Sequence, residues 1–203
     1  MNIRKNIKAG VIAVGLSLSM ACQNASAKPQ NYTLDNDHTH IVWQVDRFGF
    51  TQTVGTFTDI QGHLILDEDN PQESSVTATL ALSGLRSDLQ EREDIVRGVH
   101  WLDAETFPKI TFTSTKVTLS DDPACKTTCA IVTGEMTLKD VTHPLEMQVR
   151  LNKIATDPVS KRKAAGFTAT GVFKRSDFGV KIALGPVGDD VSFEIQALAV
   201  VED

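Results

Sequence analysis

The sequence has no apolar run long enough to cross a bilayer as a helix. Its most apolar stretch, Ala9 to Ala21, holds 13 residues, well short of the roughly 20 that a helix needs to span the hydrocarbon. No transmembrane helix is therefore expected in the mature protein. Phosphate loops and dinucleotide fingerprints are missing too, which leaves nucleotide chemistry unsupported. There is no Gly-x-Ser-x-Gly elbow, and Ser176 has no evident base, so the usual signs of a serine hydrolase are lacking. No repeat, low-complexity tract or interdomain linker interrupts the chain. Its length suits one domain with a substantial core.

Positive charge is in deficit. Lys and Arg number 20 against 26 Asp and Glu, for a formal net charge of −6, and some of that positive charge lies in a segment that does not belong to the fold. Arg4, Lys5 and Lys8 precede the apolar run, and Ala25-Ser26-Ala27 offers the small residues that signal peptidase favours. Residues 1–27 thus read as an export signal and residues 28–203 as the folded domain, with the periplasm as its compartment. Cleavage after Ala27 removes three positive charges and no negative ones, taking the net charge from −6 to −9. Nucleic acid and anionic membrane surfaces are poor partners for such a chain as a whole.

Cysteine is scarce, with three in the chain. Ser19-Met20-Ala21-Cys22 is a poor version of a lipoprotein box, because Leu18 stands one place too early. Lipid anchoring at Cys22 is the less favoured alternative to simple cleavage, and without it membrane contact is transient. Cys125 and Cys129 remain in either case. A close pair in an exported domain reads as a disulfide rather than a thiol catalyst. Closing so short a loop stabilises the fold by about 2 kcal/mol on the loop-entropy model.

What the chain does have is alternation. Phe167, Ala169, Gly171 and Phe173 share one parity, with Thr168, Thr170 and Lys174 on the other. Val191, Phe193, Ile195, Ala197 and Ala199 do the same against Ser192, Glu194 and Gln196. This period of two predicts antiparallel strands with one dry and one wet face. Further strands are expected at Tyr32 to Leu34, Ile41 to Phe48, Val54 to Leu66 (one long strand or a bent pair), Val76 to Leu82, Pro108 to Leu119, Ala130 to Leu138 and Pro144 to Leu151. The charged segment Asp88 to Val99 breaks the pattern and predicts a short helix across one end of the sheet, with Glu91 to Asp94 on its solvated face. Asp157 to Ala165 reads as a polar loop. The tally is all-β: about eight antiparallel strands, closed into a barrel or sandwich, with one helical insertion.

Several segments carry a family likeness. Asp35-Asn36-Asp37-His38, then Gly55-Thr56-Phe57 with Gly62, then Phe107-Pro108-Lys109-Ile110-Thr111-Phe112 are the first three. Gly134-Glu135-Met136-Thr137-Leu138 leading to Val141-Thr142-His143-Pro144 is the fourth, and Arg175-Ser176-Asp177-Phe178-Gly179 with Gly188-Asp189-Asp190-Val191 closes the series. In this order, from Tyr32 to Val201, the chain resembles the YceI-like family of exported, lipocalin-like barrels that bind polyisoprenoids and other long-chain amphiphiles. The resemblance implies an eight-stranded lipocalin-like barrel with an apolar tunnel and a polyisoprenoid or quinone-like lipid as ligand. It implies no cofactor, and it raises the expectation of a homodimer.

An eight-stranded barrel is just wide enough to be filled by side chains or to hold one slender ligand. Small residues at interior parity, Ala78, Gly134, Ala169, Gly171, Ala197 and Ala199, favour the second. The candidate ligand-binding residues are Ile41, Trp43, Val45, Leu80, Leu82, Phe112, Val132, Met136, Met147, Val149, Phe167, Phe173, Phe193 and Ile195, together with Arg175. Arg175 has two readings: an anchor tying its corner to Gly188, or a planar donor fork for a phosphate or carbonyl head group. The alternative function is a periplasmic metal-binding protein or metal-dependent enzyme built on His38 and His40, which share a parity. That reading needs a third ligand from His63, His100 or His143.

Overall fold

The computed structural model describes residues 28–202; residues 1–27, where the export signal and Cys22 are expected to act, and the terminal Asp203 lie outside the described residues. Eleven strands and one helix follow in chain order: β1 (Gln30–Leu34), β2 (His40–Arg47), β3 (Thr51–Phe57), β4 (Ile60–Leu66), β5 (Ser75–Ala81), β6 (Leu85–Ser87), α1 (Gln90–Arg97), β7 (Lys109–Leu119), β8 (Thr128–Leu138), β9 (Val141–Thr156), β10 (Lys163–Lys174) and β11 (Val187–Val201). The pairings run β1-β4-β5-β7-β8-β9-β10-β11-β2-β3-β6, and β11 also pairs with β1. That last contact closes the sheet.

Eleven strands make eight staves, because three staves are broken. β11 pairs with β1 through Ala199–Val201 and with β2 through Val187–Gln196, so β1 and β2 form one interrupted stave. β3 and β4 are a second, pairing with β2 and β1 in turn, and β5 with β6 a third. The result is a closed eight-stranded antiparallel barrel, as the alternation predicts. Val54 to Leu66 is the bent pair of the two options.

The breaks have local causes. Asp35 takes its amide to the Leu198 carbonyl, while its carboxylate accepts the amides of Asp37 and His38. Thr39, almost fully buried, accepts the Leu198 amide on its hydroxyl, and Asn36 Oδ1 accepts the Ile60 amide at the next stave's break. Side chains here satisfy backbone groups that the ladder has released. The stretch from Asp35 to Thr39 is therefore a corner, bolted to two neighbouring staves.

Two expectations about the insertion and loops change. Glu93 is buried, not on a solvated face: its carboxylate accepts the Ser87 amide at 2.7 Å and pairs with Arg97 at 3.2 Å. It holds the helix against β6. The polar loop after β9 shrinks to residues 157–162, because the ladder runs to Thr156 paired with Lys163. Cys125 and Cys129 form the expected disulfide in the β7–β8 hairpin.

Gly134 is required by close approach. A Cβ there would lie 2.4 Å from both Phe112 Cζ and the Thr113 carbonyl. The ring could turn aside, but the carbonyl is part of the β7–β8 ladder. Gly134→Ala should cost about 3 kcal/mol, at the upper end for overpacking, and lower the thermal midpoint by roughly 10 °C. Gly166→Ala, whose Cβ meets nothing closer than Asn152 at 3.9 Å, is the matched control and should leave the midpoint nearly unchanged in a calorimetric melt.

Candidate functional site

The buried residues do not meet in the middle of the barrel. They divide into three groups: one around Phe112, Met136 and Met147, one around Tyr32, Leu66 and Ala199, and one around Ile41, Phe57 and Leu85. Between them lies a cavity of about 610 Å³, a size typical of small-molecule sites. Its walls come from all eight staves. Strands of 11 residues or more, rising about 3.3 Å per residue and tilted by about 40°, give a passage on the order of 28 Å long.

Fourteen of the fifteen expected residues line this passage: Ile41, Trp43, Val45, Leu80, Phe112, Val132, Met136, Met147, Val149, Phe167, Phe173, Arg175, Phe193 and Ile195. Leu82 does not. The parity of Val76, Ala78 and Leu80 stops at a 3-10 turn over Leu82–Gly84, and Leu82 packs, fully buried, into the group with Ile41, Phe57, Ile60 and Leu85. It is core and not wall.

The small residues also divide. Ala78, Ala169 and Ala197 face the cavity. Gly134 and Gly171 instead make room for neighbouring rings, those of Phe112 and Phe193, and Ala199 is fully buried beside Tyr32. Of the six, only Ala78, Ala169 and Ala197 leave space for a guest. Trp101, Leu102 and Val180 contribute wall that no alternation signals, because they come from the irregular segments after α1 and after β10.

Charge is confined to the ends. Asp67 and Glu68 lie at the end that carries the β4–β5 and β7–β8 loops. Arg47, Arg92 and Arg175 lie at the end that carries α1 and the β10–β11 corner. Arg175 is 4% exposed and commits its guanidinium to the corner. Nε donates to the Gly188 carbonyl, Nη1 to those of Val180 and Ile182, and Nη2 to that of Val187, at 2.8 to 3.0 Å. The group stands 5.1 Å from the Trp101 ring. Burial pushes its pKa down and the Asp189 carboxylate pushes it back up, with burial the larger effect; an arginine so placed still keeps its proton. Of its two readings, the anchor is the one its hydrogen bonds serve. Asp189 completes the corner by accepting the Ser176 amide and hydroxyl.

The histidine reading fails on geometry. His38 lies exposed in the Asp35 corner with Nδ1 3.1 Å from the Asp35 carboxylate, and His40 is exposed at the start of β2. His63 pairs with Glu202, and His143 lies edge-on to Phe178. Among the described residues no group of three or more His, Cys, Asp or Glu side chains could hold a metal ion.

A closed eight-stave barrel whose interior is a long apolar passage with charge only at its ends defines a binding barrel of the lipocalin-like kind. The YceI-like domain profile matches residues 32–199, and the chain belongs to the YceI-like family. It is 32% identical over 192 residues to a UPF0312 protein of Photorhabdus laumondii, covering 93% of this chain and 96% of that one. It is 30% identical over 179 residues to the protein YceI of Escherichia coli, covering 87% and 90%. Among solved structures it is similar to BcnA of Burkholderia cenocepacia, with a TM-score of 0.71 at 20% identity over 81% of this chain and 98% of that one. It is also similar to a polyisoprenoid binding domain from Saccharophagus degradans implicated in plant cell wall breakdown, with a TM-score of 0.62 at 10% identity over 84% and 98%.

Proposed function

We propose that the chain is a periplasmic binding protein that sequesters or carries a polyisoprenoid or isoprenoid-quinone-like lipid in its barrel. The observation that carries this reading is the apolar passage of about 610 Å³, whose charged residues lie only at its ends. Burying one isoprene unit removes roughly 100 Å² of apolar surface from water and is worth about 2.5 kcal/mol before ordering costs. Several units in file can be held without a polar contact. The likeness to a polyisoprenoid binding domain supports the same class of ligand. Binding is favoured over catalysis because no His, Cys or Lys lines the passage among the described residues and its carboxylates, Asp67 and Glu68, lie at one end, so the apolar middle offers the guest no general base or activated nucleophile. The periplasmic assignment rests on the basic, apolar and small-residue regions of residues 1–27.

The test is to express the full precursor in a bacterial host, purify the mature protein from the periplasm, and record native and denaturing mass spectra of one sample. A releasable apolar species with prenyl-like mass spacing is expected, with a polypeptide mass that begins at Lys28 and includes one disulfide. A bare protein with no releasable species, together with failure to take up a long prenyl alcohol, would sink the reading. The native spectrum also reads whether the protein is a homodimer, and a lipid-modified Cys22 would appear as a longer, heavier chain.

A further inference from the structure

The eight staves do not seal the barrel wall at the α1 end. β6 pairs with β3 only through Gly55–Phe57, while β3 continues to Thr51 against β2. The edge of β3 over Thr51–Val54 therefore has no strand partner on the side away from β2. An unpaired edge is a row of backbone groups in need of partners. Beside this gap lies a groove lined by Thr51, Thr53, Ser87 and Asp88 and by three arginines, Arg47, Arg86 and Arg92.

Three guanidinium groups face one carboxylate there, in a chain that is otherwise acidic. Arg92 is paired with Asp88, and Arg86 donates to the carbonyls of Ser83 and Leu85. Arg47 has no carboxylate partner among the described residues, and its guanidinium stands 5.0 Å from the Phe48 ring. Its parity on β2 is that of Ile41, Trp43 and Val45, so the inward row of the stave ends in a cation. Arg47, Thr53 and Arg92 line both the groove and the passage. One molecule can occupy both.

We infer that this groove seats a phosphate-type anionic head group on the amphiphile whose tail fills the passage. Guanidinium forks match phosphate oxygens, and an arginine without a carboxylate partner need break no ion pair to engage them. This inference rests on the carrier reading, and its test is chosen so that the two can fail separately.

Delipidated mature protein is titrated with geranylgeranyl monophosphate, with geranylgeraniol and with inorganic phosphate, using the fluorescence of Trp43 and Trp101, both in the wall of the passage. The tailed phosphate should bind at least tenfold tighter than the alcohol, with a preference that weakens as salt rises. Arg47→Gln with Arg92→Gln should erase the preference, with an unchanged circular-dichroism spectrum reporting an intact fold. Arg47→Gln alone, at an exposed side chain, should remove most of the preference. Equal affinities in the wild type, or a preference that survives in both variants, would overturn the groove assignment and leave the carrier reading standing. Inorganic phosphate binding as tightly as the tailed phosphate would overturn it in favour of a free-anion site. Failure of both tailed probes to bind would overturn the carrier reading and this inference with it.

Discussion

Ala78→Phe combined with Ala169→Phe should empty the barrel while leaving it as stable as before, or more so. Both alanines face the cavity. They stand on β5 and β10, four staves apart in the ring of eight. From Ala78 the ladder runs one way through Gly62, beside Leu34, and on to Ala199 and Ala165. The other way it runs through Phe112 and Met136 to His143, beyond the level of Met147 and Gly171. The middle of β10, where Ala169 lies, thus faces Ala78 across the bore. Two phenyl rings entering from opposite walls divide the passage. Losing room for two isoprene units removes about 5 kcal/mol of tail burial, a loss of between 10³ and 10⁴ in affinity. The rings meanwhile gain neighbours in a space that was empty, so the thermal midpoint should hold or rise. Native mass spectra and a melt on the same preparation read both quantities. A lipid retained at wild-type occupancy would mean that the passage is not where the tail lies.

The staves were legible in the sequence because each is half dry, and a period of two survives whatever its partner is. Their interruptions were not, because they depend on partners far away in the chain. Nothing near Thr39 announces that its hydroxyl serves the Leu198 backbone, and nothing near Asn36 points to the Ile60 amide. Leu82 was misplaced for the same reason: its parity with Leu80 is correct, but the 3-10 turn rotates it out of the wall. Glu93 looked solvated within a run of charges, and its burial is explained by the Ser87 amide and the Arg97 guanidinium, which the run itself does not reveal. The wall itself was legible where strands supply it. Where irregular segments supply it, as at Trp101 and Val180, there is no period to read. Arg47 was hidden by its charge, since a cation that ends an apolar row looks like a strand terminus until the gap beside β3 is seen.

Arg175→Met should be among the most destabilising single changes in the chain, although it removes a cation from the wall of an apolar passage. Burying a charge is costly in isolation, and replacing it with an apolar side chain of similar length can be neutral when its partners leave with it. Here they do not leave. The carbonyls of Gly188, Val180, Ile182 and Val187 belong to the backbone, one in a buried contact and three in part-buried ones, and each acceptor left without its partner there costs on the order of 1 kcal/mol. Together they put the loss at about 4 to 5 kcal/mol, or a fall of roughly 10 to 15 °C in the melting midpoint. Arg175→Lys should recover only part of it, because one ammonium cannot span four acceptors laid out for a planar fork. Asp189 sets the pH dependence of the same corner. Burial raises its pKa, but the Ser176 hydroxyl and amide, with Lys174 and Arg175, lower it by more, and the net shift is downward. A depressed carboxylate contributes stability that is complete above its unfolded value, near 3.9, and that is lost as pH falls through the folded value. The corner should therefore loosen in acid below about pH 4, as hydrogen exchange at the Ser176 amide would show. A head group held by Arg175 would make Arg175→Met lose the preference for a tailed phosphate. With the discriminating charge at Arg47, the folded fraction of Arg175→Met keeps that preference, so one titration separates the anchor from the head-group site.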